Sequence, residues 1–359
     1  MQICLDNNKM EETDLMNYPE KLGNEEQLEE LLSRPGKETV EMFSRLVGDL
    51  IFLGVAGKIG KSLAVMAKRA CEAAGSGRRI IGVSMFENRE HQEVFEKAGI
   101  ETIHGDLLDT EFTASLPKAE NVFYLAGLKF GSVENLALTW AINTYLPAIV
   151  ANSFKNSRIV AFSTGCVYPL VPVGSGGSKE SDPPEAIGEY AQSCLGRERM
   201  FEYGSIRNKT KVVLIRLNYS VEMRYGVLVD IALKVKNKQP VDLTMGYFNV
   251  IWQGDLNDFV LRSLEQASSP AKVLNITGPE ILSVKEVAEE FGKLFGVKVS
   301  FENKETPTAL LNNAKHSFEL FGQPKIPVEQ VIKWIAGWLG DNKTILGKPT
   351  HFEVRDGKY

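Results

Sequence analysis

The chain predicts an α/β fold built on a doubly wound parallel sheet, with a smaller mixed domain following it. From Asp49 onward short apolar runs alternate with segments of helical period, and the first run leads through a glycine-rich turn straight into a helix. With 359 residues, 43% hydrophobic and 24% charged, the chain can bury two compact cores.

Residues 1–48 read as an acidic helical extension. EEQLEELLS places Leu28, Leu31 and Leu32 at helical spacing, KETVEMFSRL does the same with Val40, Met42, Phe43 and Leu46, and Pro35 and Gly36 separate the two. The extension is expected to pack on the main domain or against another subunit. Residues 49–219 carry the alternation itself: the strand DLIFLGV, a helix ended by Gly75, the strand RRIIGVSM, a helix ended by Gly99, then ETIHGD and NVFYLAG. A helix around NLALTWAINTYLPAIVANSF follows, then the strand RIVAFST, a proline-rich loop, a helix from Tyr190 to Tyr203 and the strand KVVLIRL. This order predicts a Rossmann-type sheet.

Beyond residue 220 the alternation weakens, and residues 220–340 read mainly as the second, mixed domain, with crossovers back to the first allowed. LVDIALKVKN, LNDFVLRSLEQAS, SVKEVAEEFGKLFG and PVEQVIKWIAGWLG are helical, and KVLNITG is a strand-like bridge. Residues 341–359 are either a loose tail or an extended arm laid on the catalytic face or on a neighbouring subunit, with Phe352, Val354 and Tyr359 as anchors.

The formal charge of -5 is interspersed, so no basic surface points to nucleic acid. No apolar run is long enough to span a bilayer, and the N-terminus lacks the basic and apolar regions of a secretory signal. Cys4, Cys71, Cys166 and Cys194 form no C-x-x-C pair, which fits a reducing cytoplasm. His91, His104, His316 and His351 have no metal-binding spacing, so no metal is expected.

GVAGKIG, with Gly54, Gly57 and Gly60, lies between an apolar strand and a helix. Glycines permit the tight turn and close backbone approach, and a helix N-terminus offers free N–H groups to a diphosphate, so Lys58 and Ile59 fall in a nucleotide-binding turn. The end of the second strand, GVSMFEN, puts Ser84 where a ribose-binding carboxylate is usual, with Glu87 further on. With Lys58 and Lys61 near the turn, NADP stands beside NAD as the cofactor, although either lysine could face solvent. Asp106 and Leu107 in GDLLD could hold the adenine edge, or Asp106 could cap a helix.

With these motifs in order, residues 49–340 resemble the extended short-chain dehydrogenase/reductase family, of the NAD-dependent epimerase/dehydratase type to which UDP-galactose 4-epimerase belongs. The resemblance implies that Gly54, Gly57 and Gly60 hold the cofactor phosphates and that Asp106 and Leu107 lie on the adenine side. It places Ala126 and Gly127 beside the cofactor, Lys129 toward the reaction site, and Asn143 at the central geometry. In STGCVYP it makes Thr164 the catalytic hydroxyl, preceded by Ser163, and it makes Tyr190 the catalytic tyrosine. Cys166 and Asn218 then border the substrate, and Arg224, with Tyr225, could recognise an acidic or phosphorylated group; interdomain packing is the alternative. Trp252 and Asp255 could border the second-domain pocket, or serve as a packed aromatic and a cap.

The chain departs from the family at Cys194. A lysine is usual four residues after the tyrosine, where it shares the helix face and favours the phenolate. Cys194 reads as a packed cysteine, a pocket wall or, remotely, a nucleophile; Cys166 reads most simply as a small buried residue. Lys129 is the candidate to restore the cation, whereas Arg197 is expected in a salt bridge with Glu198, Glu202 or the acidic surface. The implied activity is hydride transfer on a sugar, sugar acid or nucleotide sugar, with a homodimer as a possible assembly. A catalytically weakened cofactor-binding regulatory or structural protein is the alternative.

Overall fold

The computed structural model describes residues 18–129 and 134–358; Cys4 and Tyr359, both singled out above, lie outside the described residues. Seven strands form one sheet: β1 (Leu50–Leu53), β2 (Ile80–Ser84), β3 (Glu101–His104), β4 (Asn121–Tyr124), β5 (Arg158–Thr164), β6 (Lys211–Leu217) and β7 (Lys272–Ile276). All pairings are parallel, in the order β7-β6-β5-β4-β1-β2-β3. The direction of winding therefore reverses between β1 and β4, which opens a crevice at the carboxyl ends of those strands.

The helices are α1 (Glu25–Leu32), α2 (Lys37–Arg45), α3 (Gly60–Ala73), α4 (Arg89–Lys97), α5 (Thr110–Ser115), α6 (Leu136–Trp140), α7 (Leu146–Ser153), α8 (Gly188–Asn208), α9 (Val227–Lys236), α10 (Gln253–Arg262), α11 (Val284–Phe295), α12 (Lys315–Phe321) and α13 (Val328–Gly340). Both faces of the sheet are covered, which explains why its central strands are continuous apolar runs. Leu50 and Phe52 pack with residues of α2, α3 and α10, and Ile51 and Leu53 pack with residues of α7 and α8. A separate core joins α9, α11 and α13 with Leu28, Leu31 and Leu32 of α1 and with Phe352 near the C-terminus.

Chain segments do cross back: β7 pairs with β6, and α10 packs on α3. The N-terminal helices are held by charge as well as packing, since Glu29 pairs with Lys61 at 3.1 Å and with Arg224 at 2.8 Å.

Two helices differ from expectation. α8 extends beyond Tyr190–Tyr203 at both ends. The helix expected between Asn135 and Phe154 is interrupted by a π turn over Ala141–Tyr145, in which the Leu146 N–H donates to the Ala141 carbonyl. Pro147 follows at once and has no N–H to offer the carbonyl of Asn143, so the regular ladder cannot continue through this point.

Candidate active site

The glycine turn sits at the crevice, and its three glycines have different reasons to be there. Gly54 has φ +85, and a Cβ there would lie 2.7 Å from the Ala126 nitrogen. A Cβ on Gly60 would strike the Val55 carbonyl, so this glycine lets α3 approach the strand. A Cβ on Gly57 would meet only the Gly54 carbonyl oxygen, at 3.6 Å, and the residue faces an open groove. Beyond the turn, α3 starts with no side-chain cap and no acidic residue in its first turn.

That groove, about 420 Å³, is lined by Gly57, Lys58, Ile59, Gly60, Gly127, Lys129, Ser163, Tyr190, Arg197 and Lys348 among others. A neighbouring pocket of about 150 Å³ shares Lys58, Ile59, Lys129, Ser163 and Tyr190 with it and adds Thr164, Cys166, Asn218, Tyr219, Tyr225, Gln253 and Thr350. The residues expected to be catalytic thus meet where the two spaces join.

Thr164 ends β5; its hydroxyl accepts the Cys166 N–H at 3.1 Å, and the residue lines the small pocket together with Tyr190. Lys129 brings its Nζ to 6.0 Å from the centroid of the Tyr190 ring and donates to the Thr350 carbonyl at 3.1 Å. Burial pushes the Tyr190 pKa well above its usual value, and the Arg197 charge and the Thr164 hydroxyl oppose this. Burial also lowers the pKa of Lys129. Lys58 keeps much of its surface open to solvent, yet desolvation of its amine and the like charges of Lys129 and Lys348 bring its pKa down to about 7.

Asn143 holds the loop after β4 to α8. Its Oδ1 accepts the Leu128 N–H at 2.8 Å and Arg197 Nη2 at 2.8 Å, while its Nδ2 donates to the Leu128 carbonyl at 2.9 Å and to Ser193 Oγ at 3.0 Å. All four hydrogen-bonding positions of the amide are filled, and the π turn is what aims it. Ser163 donates to Glu198 Oε1 at 2.6 Å, and Glu198 is gripped by Arg216 in a buried bridge of 2.7 Å. Asn218 reaches the pocket while its Nδ2 donates to Asn249 Oδ1 at 2.7 Å.

Several expectations are corrected. Arg197 makes no bridge to Glu198, which Arg216 already occupies, nor to Glu202, which pairs with Arg199. Instead it turns inward, 5% exposed, and donates to the Phe162 carbonyl and to Asn143. Arg224 does not line the pocket: Glu222 and Glu29 engage its guanidinium. Lys61 is bound to Glu29, and Lys58 lies at the junction of groove and pocket. Of the two readings of Asp106, the helix cap is the one corrected: Asp109 caps α5, while the Asp106 carboxylate accepts the Leu108 N–H at 2.9 Å and the Leu107 side chain is buried. By contrast, Trp252 and Asp255 do border cavities: Trp252 packs edge-on against Trp334 and lines a second-domain cavity of about 610 Å³, and both residues line a smaller one, where Asp255 also accepts the Ile326 N–H at 3.0 Å.

Cys194 is fully buried with Val167 and Tyr168, and burial raises its thiol pKa to about 11. The C-terminal segment is the arm and not a loose tail: Phe352 is buried in the second core, Thr350 is bound to Asp230, and Lys348 and Thr350 line the two spaces. Sequence reasoning missed Lys348, Thr350, Tyr219 and Gln253, because none of them belongs to a local motif. Among the described residues no group of three or more histidine, cysteine or acidic side chains could hold a metal, and no helix is long and apolar enough to cross a membrane.

No protein-family model matches the chain, and no curated protein matches its sequence. Solved structures match its fold. Pal from Bacillus thuringiensis is 20% identical, with 82% of this chain and 100% of that one covered and a TM-score of 0.67. UDP-glucuronic acid 4-epimerase from Bacillus cereus, in complex with UDP-glucuronic acid and NAD, is 15% identical over 82% and 99% of the two chains, with a TM-score of 0.69. UDP-glucose 4-epimerase from Thermotoga maritima, with UDP-glucose, is 16% identical over 82% and 99%, with a TM-score of 0.68. The chain therefore has the fold of these proteins, an α/β sheet domain with a smaller C-terminal region.

Proposed function

We propose that this chain is a nicotinamide-dependent oxidoreductase or epimerase acting by hydride transfer on a sugar, sugar acid or nucleotide sugar. One observation carries it: Thr164 and Tyr190, with Lys129 beside the tyrosine ring, stand together where the glycine-turn groove opens into the small pocket. NAD-bound and UDP-sugar-bound proteins of the same fold support the choice of cofactor and substrate class.

The residues fit a dinucleotide. Gly57 leaves a place that its own fold does not fill, and the uncapped start of α3 suits an anion. Gly54, Gly57, Ile59 and Gly60 would hold the diphosphate, Ser84, Asp106 and Leu107 the adenosine end, and Ala126, Gly127, Ser163 and Tyr190 the nicotinamide end. Bound there, NAD or NADP supplies the hydride acceptor or donor. The protein's part is the proton. Tyr190 Oη gives it to, or takes it from, the reacting oxygen, and Thr164 Oγ1 holds that oxygen in line. Because burial keeps the phenol protonated, the resting site is set to donate, the half-reaction in which a carbonyl is reduced. Each pKa unit that must be recovered for the opposite direction costs about 1.4 kcal/mol, and the positive charge of Arg197 works against that cost. The pocket of about 150 Å³, walled by Cys166, Asn218 and Tyr219, suits a single reacting ring.

Exposed Leu136, Leu138 and Trp140 on α6, with Tyr203 and Ile206 on α8, favour a homodimer through this face. Free, buried Cys71, Cys166 and Cys194 favour the cytoplasm. A regulatory cofactor-binding role is the second possibility, and it is favoured by Cys194 and the raised Tyr190 pKa.

The test is nicotinamide absorbance on mixing the protein and NAD or NADP with a panel of sugars, sugar acids and UDP-sugars. Tyr190→Phe should slow turnover by about 10²- to 10⁴-fold while leaving cofactor affinity nearly unchanged. Firm cofactor binding without redox change across the panel supports the regulatory role, and near-normal turnover by Tyr190→Phe removes Tyr190 from the mechanism.

A further inference from the structure

Cys194 cannot carry a positive charge, yet a permanent one stands close by. Tyr190, Cys194 and Arg197 succeed one another at intervals of four and three residues and share one face of α8. Cys194 stays in the packed layer, and Arg197 reaches past it to the groove wall opposite the glycine turn. There it lies against Gly127, where a Cβ would come within 2.7 Å of Nη2. The guanidinium is fixed at both ends, with Nη1 donating to the Phe162 carbonyl at 2.9 Å and Nη2 to Asn143 Oδ1 at 2.8 Å.

Both of those acceptors are neutral. Among the described residues Arg197 makes no salt bridge, since the carboxylate next to it in sequence, Glu198, is held by Arg216. Its Nε is buried and finds no hydrogen-bond partner among the described residues. A guanidinium taken out of water with only neutral acceptors retains much of its desolvation cost, and an anion in the adjoining groove is what would offset it. The neighbouring cations are less dependable. Lys58 and Lys129 are both driven toward the neutral amine, whereas a guanidinium remains charged at any physiological pH.

We propose that Arg197 is the fixed anion-holding charge of the groove, taking over, from two turns beyond Tyr190 on α8, the cationic task for which Cys194 has no chemistry. The assignment rests on the nicotinamide-dependent function proposed above. It makes Arg197 part of the cofactor wall, with Asn143 setting its position. It also explains why Asn143 spends its carbonyl oxygen on Arg197 and on the backbone of the loop after β4: one side chain sets both the loop and the charge.

Titration of the full-length protein with NADH and NADPH, followed by nucleotide fluorescence, tests this, with thermal unfolding run on every variant. Arg197→Gln keeps a donor and removes the charge; it should weaken binding by about tenfold or more, the scale of one charge-assisted hydrogen bond. Arg197→Lys restores the charge and should recover most of that loss. The exposed Arg199→Gln serves as control and should bind like wild type. Loss in Arg197→Gln that Arg197→Lys does not repair, or wild-type binding by Arg197→Gln, overturns the assignment while leaving the proposed function standing. Wild-type protein that binds neither dinucleotide overturns the proposed function, and this assignment with it.

Discussion

Gly57→Ala separates the needs of a ligand from the needs of the fold. Gly57 does not adopt a left-handed conformation, and the added methyl would meet nothing closer than the Gly54 carbonyl oxygen at 3.6 Å, an ordinary contact. The free protein should accept the alanine and gain about 0.4–1 kcal/mol through a less flexible unfolded chain. The same methyl enters the groove between Lys58, Gly60 and Gly127. Overpacking there costs about 1–3 kcal/mol, which weakens a dinucleotide by roughly five- to hundred-fold. Gly60→Ala makes the contrast: its Cβ would lie 2.7 Å from the Val55 carbonyl carbon and closer still to its oxygen, so the turn must move and stability should fall by about 3 kcal/mol. Circular dichroism melts and NADH fluorescence titrations read both effects. If Gly57→Ala binds as wild type does, or is destabilised as Gly60→Ala is, the division of labour among these glycines is wrong.

Removing the charge of Glu198 with Glu198→Gln strands Arg216, whose side chain is only 3% exposed, and should cost about 3–5 kcal/mol in denaturant unfolding; a loss below about 1 kcal/mol contradicts this. Asp255 gives a pH signature. Its buried carboxyl is raised to about 6, above the ~3.9 of an unfolded chain, so between these values the folded state holds the extra proton. Stability relative to Asp255→Asn should therefore rise as pH falls from about 7 to about 4, by on the order of 2 kcal/mol, and be lost as pH rises through 6. Urea unfolding of both proteins at several pH values measures it, and a difference that is flat or of opposite sign refutes the assignment.

Where a signal was local, it could be read directly from the sequence. The alternation of apolar runs and helical periods, the glycine turn and the order of Thr164 and Tyr190 lie within short stretches, and the parallel sheet follows from them. Arg197 was misjudged because its partner depends on tertiary pairing: Arg216, on β6, takes Glu198 and leaves Arg197 no nearby carboxylate. Arg224 and Lys61 likewise met Glu29, which an N-terminal helix brings across the fold. The π turn had a single local cue in Pro147, and nothing in the spacing around Asn143 announces it. Lys348 and Thr350 reach the site on a segment without period, so only the completed fold reveals them.

The arm also bears on synthesis. Chains fold from the N-terminus as they emerge from the ribosome, and β1 to β6 can assemble while the rest is still being made. Lys129, however, is tied to the carbonyl of Thr350, and Thr350 is moored to Asp230 by its N–H and its hydroxyl. The sheet and the glycine turn are thus made before residues 348–350 add this wall of the pocket. Completion of the site therefore waits on a segment 221 residues beyond Lys129, and a chain cut before Lys348 would carry the sheet and the glycine turn with one wall of the pocket missing.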